Sequence, residues 1–164
     1  MRKIVSLVVI IVIASILLGC EEKSTRFSGE AEGYTCNYIF NADGTWVSHI
    51  TGTYKDESFG IEIITDLDVG AGTYKGNPKK DGNLEVTSTK MADMSSALSS
   101  LIASAFVSLL TNSAPTLRLT NEKAPLATIA ENEQKTLTLT ITDGKFTSRE
   151  DIANNTNNLV FTRE

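Results

Sequence analysis

Residues 34–54 read Tyr34-Thr35-Cys36-Asn37-Tyr38-Ile39-Phe40-Asn41-Ala42-Asp43-Gly44-Thr45-Trp46-Val47-Ser48-His49-Ile50-Thr51-Gly52-Thr53-Tyr54, and this stretch decides the fold. Tyr34, Cys36, Tyr38 and Phe40 fall on one side of a period-two pattern; Thr35, Asn37 and Asn41 fall on the other, with Ile39 the exception. Side chains alternate between the two faces of a strand, so the pattern predicts a half-buried β-strand. Asn41-Ala42-Asp43-Gly44 supplies a hairpin connection in which Gly44 can take positive φ. The return strand places Trp46, Ile50 and Tyr54 on one face. Two neighbouring strands that share an aromatic face make a hairpin.

The same signals recur outward from it. Phe59–Thr65 carries Phe59, Ile61 and Ile63, Val69–Gly76 is rich in glycine, and Leu84–Thr89 follows a turn with Asn77-Pro78 and Asp81-Gly82. Gly70, Gly72 and Gly76 weaken a strand unless they serve bending or close approach, as in the curved sheet of a small barrel. Further on, Leu117 and Leu119 alternate with Arg118 and Thr120, and Leu137, Leu139 and Ile141 alternate with threonines. Asp143-Gly144 turns into Lys145–Arg149, and Leu159–Arg163 closes the series after a polar loop at 154–158. Towards the N-terminus, residues 21–33 are polar with Phe27 as the one large apolar side chain, which predicts a tether over 20–29 and a folded domain over 30–164.

One segment breaks the strand series. Residues 91–110 contain neither Gly nor Pro and a single charge, Asp93. Met94, Leu98, Ile102, Phe106 and Leu110 form an i+4 row, and Ala92, Ser96, Ser100, Ser104 and Ser108 form a second row of small residues. That spacing predicts a helix with a wide apolar side and an uncharged serine side, ended before Pro115. The helix is expected to lie across the sheet and bury Leu98, Ile102 and Phe106. Small residues at Ser96, Ser100 and Ser104 would permit close approach of a partner on the other side.

The tally is eight to ten strands and one inserted helix. Short strands with regular turn signals predict a mainly β domain, an antiparallel up-and-down barrel, with a β-sandwich as the alternative. The segments Phe40-Asn41-Ala42-Asp43-Gly44-Thr45-Trp46, Gly72-Thr73-Tyr74-Lys75-Gly76, Lys80-Asp81-Gly82-Asn83-Leu84 and Phe161-Thr162-Arg163 resemble the lipocalin-like domains of bacterial, particularly spirochaete-type, lipoproteins. The resemblance implies a barrel able to hold a small apolar ligand. Two features depart from lipocalins proper: Gly44-Thr45-Trp46 opens a later strand instead of the first, and the helix interrupts the strand series.

The first twenty residues carry a second resemblance. Arg2 and Lys3 precede an apolar run, Ile4–Leu18, which ends in Leu17-Leu18-Gly19-Cys20. Fifteen helical residues reach about 22 Å, short of a hydrocarbon core roughly 30 Å thick, so the run suits a signal peptide better than a permanent span. The Leu-Leu-Gly-Cys sequence resembles the lipobox of bacterial lipoproteins. It implies a cleaved segment 1–19, covalent diacylglycerol and acyl lipid on Cys20, and anchoring on the extracytoplasmic side of the cell envelope. Glu21 leans this towards the outer membrane where one exists.

Removal of residues 1–19 takes the 15 basic residues to 13 against 20 acidic ones, a formal net charge of −7 on 145 residues. No basic cluster stands out, so nucleic-acid binding has no electrostatic footprint. Cys36 reads as a small buried hydrophobe on the Tyr34/Tyr38/Phe40 face. His49, opposite Trp46 and Ile50, reads as a solvent-face residue, and Asp66-Leu67-Asp68 reads as a solvated turn lacking the glycine and distal Glu of a calcium loop. No metal spacing and no catalytic grouping emerges, and no cofactor beyond the lipid is implied. Tyr34, Tyr38, Phe40, Trp46, Tyr54 and Phe59 either line an apolar pocket or are spent as core. The chain therefore reads as a non-enzymatic, membrane-tethered binding module for a small apolar ligand or an envelope partner. The alternative is a structural lipoprotein that docks on other envelope proteins through the 91–110 helix.

Overall fold

The 34–54 hairpin forms as its alternation requires. Tyr34–Phe40 (β2) pairs antiparallel with Thr45–Asp56 (β3) through Phe40↔Trp46 and Cys36↔Ile50, and Gly44 takes φ of 82° in the connecting turn. The computed structural model describes residues 24–31, 33–56, 60–111, 116–152 and 155–164; the expected signal segment 1–19, Cys20 and Phe59 lie outside them. Among the described residues are ten strands and one α-helix: β1 (Thr25–Ala31), β2, β3, β4 (Ile61–Lys75), β5 (Gly82–Ala92), α1 (Ser95–Thr111), β6 (Thr116–Thr120), β7 (Leu126–Thr128), β8 (Lys135–Ile141), β9 (Lys145–Ile152) and β10 (Asn155–Arg163). The protein is mainly β, as expected.

Strand order explains the architecture. The sheet runs β5-β4-β3-β2-β1-β10-β9, and β8 pairs with the far edge of β5. Leaving aside the α1–β6–β7 excursion, each strand lies beside its neighbour in sequence, and β10 returns to pair with β1. All pairings are antiparallel except that of β6 with β4. Between β8 and β9 lies a tight turn in which Asp143 and Gly144 have φ of 52° and 70°, the pattern of a type I′ hairpin. The two strands meet through the bridge Thr142↔Lys145, and no ladder between them continues it among the described residues. The ten-stranded sheet is therefore curled but not closed.

Three boundaries differ from the sequence reading. The segment Thr25–Gly29, expected in the tether, is strand, with Thr25 and Phe27 buried and Arg26 exposed; one large apolar residue was too little to reveal the period. The described parts of the two expected strands, Ile61–Thr65 and Val69–Lys75, belong to one strand, β4, so Asp66-Leu67-Asp68 is not a turn. The helix begins at Ser95 instead of Met91, because Lys90, Met91 and Ala92 pair with Thr128, Ala127 and Leu126 of β7. Asp93 stands just before the helix, where its carboxylate accepts the Ser95 N–H at 3.0 Å. That bond satisfies one of the donors a first helical turn leaves unpaired, and hydrogen bonds from Ser95 hold the Asp93 carboxyl below the usual carboxylate range.

The core draws on nearly every strand. Phe27, Phe40, Trp46, Leu84, Ile141, Phe146 and Phe161 are buried together with Cys36, Val86, Leu139 and Leu159. The glycines of β4 make room for one of them. Trp46 lies over Gly70 and Gly72, and its Nε1 donates to the Thr87 carbonyl at 3.1 Å. A Cβ on Gly72 would come within 1.9 Å of that carbonyl oxygen, whereas one on Gly70 would meet the indole at an ordinary 3.5 Å. The expected close approach thus has an identified guest.

At the same end, Asp81 clips two turns together. Its carboxylate accepts the backbone N–H groups of Asp143 at 2.6 Å and Gly144 at 3.0 Å, and Arg163 Nη2 lies 3.4 Å away. These bonds, with Gly144 and Asp143 contributing most and Arg163 least, hold the Asp81 carboxyl below its ordinary range.

Two outcomes follow. Gly72→Ala should lower stability by about 1–3 kcal/mol or more, since no backbone atom nearby yields easily, while Gly70→Ala should be tolerated; denaturant midpoints of both variants check this. A carboxylate with a depressed folded pKa contributes stability that is present above its unfolded value of about 4 and lost as pH falls through the folded one. The loss of stability below about pH 4 should therefore be shallower in Asp81→Ala than in the parent, read from urea midpoints across that range.

Candidate functional site

Of the aromatic side chains considered for a pocket, the structure brings Tyr38, Phe40 and Trp46 together, but against one another. Tyr38 stacks on Trp46 at 5.8 Å between centroids and meets Phe161 edge-on at 5.0 Å, and Phe40 meets Phe27 at 5.9 Å and Tyr74 at 5.1 Å. Rings at these spacings are packed core. Tyr34 is half-buried at the margin of this cluster, where burial raises its phenol above the ordinary value against the opposing effect of a hydrogen bond with Thr65. Tyr54 is exposed. Cys36 is buried in the core, as its place on the Tyr34/Tyr38/Phe40 face implies.

His49 does lie on the opposite face from Trp46, but not in open solvent. A register shift at Ser48/His49 sets it directly across from Asp68. Its Nδ1 lies 2.8 Å from Asp68 Oδ1 and its Nε2 3.2 Å from Asp66 Oδ1. Each ring nitrogen is occupied by a carboxylate, so the three groups do not converge on one point. No group of three His, Cys, Asp or Glu side chains is placed to hold a metal ion among the described residues. The two aspartates sit mid-strand because Asn121 completes the strand edge there. Along that edge β4 pairs first with β6, over Glu62–Asp66, and then with β5, over Gly70–Lys75. In the gap, Asn121 Oδ1 accepts the Asp68 N–H at 2.9 Å and its Nδ2 donates to the Asp68 carbonyl at 3.1 Å.

The surface that stands out is at α1. The helix rests on the sheet through Ala97, which is 1% exposed and packs with Leu67 and Ala124. Contrary to the expectation that the i+4 row is buried, Met94, Leu98, Ile102 and Phe106 are 46, 58, 62 and 66% exposed, and Val107 is exposed beside them. The pattern correctly marks an apolar face, but the small Ala97 is what fits against the sheet. At the root of the row, Ile63, Met94, Ala97, Leu98, Leu117 and Leu119 line an apolar groove of about 290 Å³. Of the serines proposed as partner contacts, Ser96 is exposed and Ser104 half-buried; the Ser100 side chain lies outside what the structure describes. The hydroxyls bend inward: Ser99 Oγ donates to the Ser95 carbonyl at 3.0 Å and Thr111 Oγ1 to the Val107 carbonyl at 2.9 Å. These two hydroxyls are satisfied by the helix's own backbone.

No family model, curated protein or solved structure matches the chain. The site is therefore argued from its own chemistry. A contiguous exposed apolar surface on an acidic domain marks an interaction site more often than chance exposure does.

Because the row is exposed in the folded chain, Ile102→Ser and Phe106→Ser should each change stability by no more than about 0.5 kcal/mol. Leu67→Ala, under the helix, should cost about 2–5 kcal/mol. Chemical denaturation of the three variants separates the two classes.

Proposed function

We propose that this chain is a non-enzymatic lipoprotein, held on a cell-envelope membrane by acyl chains on Cys20, that docks an envelope protein on the apolar face of α1. The observation that carries the reading is the exposed row Met94, Leu98, Ile102 and Phe106, continuous with the groove beside Leu117 and Leu119. Several side chains of this size cost about 1.5–3 kcal/mol each to leave in water compared with burial, so a surface of this kind favours a partner. The lipobox resemblance at Leu17-Leu18-Gly19-Cys20 supports the anchor; two or three acyl chains hold firmly where one binds marginally. The sequential strand order and the return of β10 to β1 support a lipocalin-like up-and-down barrel as the scaffold.

A second reading, capture of a small apolar ligand, is favoured by the hydrocarbon lining of the same groove, whose volume is at the low end for ligand sites. In that reading the ligand sits outside the aromatic core, at the helix root.

Expression of the full chain in a lipoprotein-exporting bacterium tests both parts. Labelled palmitate should enter the protein and remain with the membrane fraction, and Cys20→Ala should abolish both. A photo-crosslinking residue at Leu98 should give a discrete protein adduct that the same probe at Lys79 does not. Equal, diffuse adducts at both positions would overturn docking at α1.

A further inference from the structure

The chain has three methionines, and Met1 belongs to the expected signal segment. The other two, Met91 and Met94, lie just before α1, and both are exposed. Cys36, the one described cysteine, is buried. Among the described residues, the oxidisable sulfur that water reaches is thus gathered at the root of the apolar row. The two methionines differ in what they touch. Met91 is a strand residue of β5, paired with Gly70 on one side and Ala127 on the other, and it takes no part in the groove. Met94 heads the row and lines the groove with Ile63, Leu98, Leu117 and Leu119. Its backbone is fixed: its carbonyl accepts the Leu98 N–H at 2.9 Å, and the Asp93 carboxylate accepts the Ser95 N–H beside it. The other large side chains of the lining are branched hydrocarbon. What Met94 adds to them is a flexible thioether that oxidation converts into a polar sulfoxide.

The groove has no donor to offer an oxidised sulfur. Among the described residues, Ser95 is the one polar side chain in its lining, and that hydroxyl already donates to the Asp93 carboxylate. A sulfoxide oxygen is a hydrogen-bond acceptor, and burying it without a donor is unfavourable. In the folded chain it turns to water. A partner laid on the groove then has to strip that water away and receives nothing in exchange.

We infer that Met94 is an oxidant-sensitive switch on the α1 face: its thioether permits docking and its sulfoxide opposes it. The inference rests on the proposed docking at α1. The oxidant is a hydroperoxide, with hydrogen peroxide as the simplest case. A sulfur lone pair attacks one peroxide oxygen, and the S–O bond forms as the O–O bond breaks. The displaced hydroxide takes the proton left on the transferred oxygen and departs as water. The sulfur loses two electrons and the peroxide gains them. A methionine sulfoxide reductase reverses the change: a dithiol supplies two electrons, ends as a disulfide, and the oxygen leaves as water. Met91 takes the same oxygen without consequence for the groove, because it does not line it.

The test uses the full chain in isolated membranes of the exporting strain, with the photo-crosslinking residue at Leu98. Hydrogen peroxide should add one oxygen to Met94 and to Met91, read by mass spectrometry of their peptides, and lower the protein adduct several-fold. A methionine sulfoxide reductase with dithiothreitol should restore it. Met94→Leu should keep its adduct through peroxide, whereas Met91→Leu should lose it as the parent does. Met94→Gln, which is polar without oxidation, should give little adduct from the start while the purified chain keeps the parent's circular dichroism. An adduct that survives full oxidation of Met94, or that Met94→Leu fails to protect, defeats the switch and leaves docking standing. Absence of a discrete adduct before peroxide defeats docking at α1, and the switch with it.

Discussion

The indole of Trp46, laid over two glycines and tied to a carbonyl beyond them, is the contact on which the curl of the sheet depends. Gly70 and Gly72 strip β4 of side chains under the ring, and the Nε1 bond reaches across β4 to Thr87 on β5. One side chain from β3 therefore fixes the separation of three strands. A buried indole N–H must find an acceptor, and here the acceptor is a backbone carbonyl that only glycine allows the ring to approach. Tyr38 stacks on the other side of Trp46 and carries the packing to Phe146 and Phe161. The far strands thus fold back on the first ones through aromatic contacts, although among the described residues no ladder joins β8 to β9 beyond their turn.

With the core at that end filled by rings, the apolar groove lies towards the other end of β4, beside Ile63. There the long strand changes partners, and Asn121 supplies in one side chain the donor and acceptor that neither β5 nor β6 can offer to Asp68. The α1 excursion leaves and re-enters the sheet around this gap. Its footing is a small cluster, Leu67, Ala97 and Ala124, and a footing of that size cannot cover the wide apolar face the helix carries. The exposure of Leu98, Ile102 and Phe106 follows from this mismatch between a broad stripe and a narrow seat.

Much of the fold was legible in order and type because its signals are local. The aromatic alternation of β2 and β3, the threonine–leucine alternation of β8 and the Asp143-Gly144 turn each state their conformation within a few residues. What escaped was decided at a distance. Thr25–Gly29 looked like tether because Arg26 and Ser28 alternate with only one large apolar residue, Phe27. Asp66 and Asp68 suggested a turn because nothing nearby in the chain announces that His49 lies between them and Asn121 beside them, 53 residues on from Asp68. Met91 and Ala92 fitted the helix pattern, and it was pairing with Ala127 and Leu126 that drew them into β5.

The sequence by itself determined the β character, the hairpin turns and the existence of an uncharged helix, since each rests on neighbouring residues. Only the tertiary structure decided which strands pair, that the glycines seat Trp46, that Tyr38, Phe40 and Trp46 pack as core, and that α1 turns its row outward. The physical reason is the same throughout. Apolar periodicity specifies that a face is to be buried, but burial is satisfied equally by the same chain or by another, and the sequence pattern is identical in the two cases.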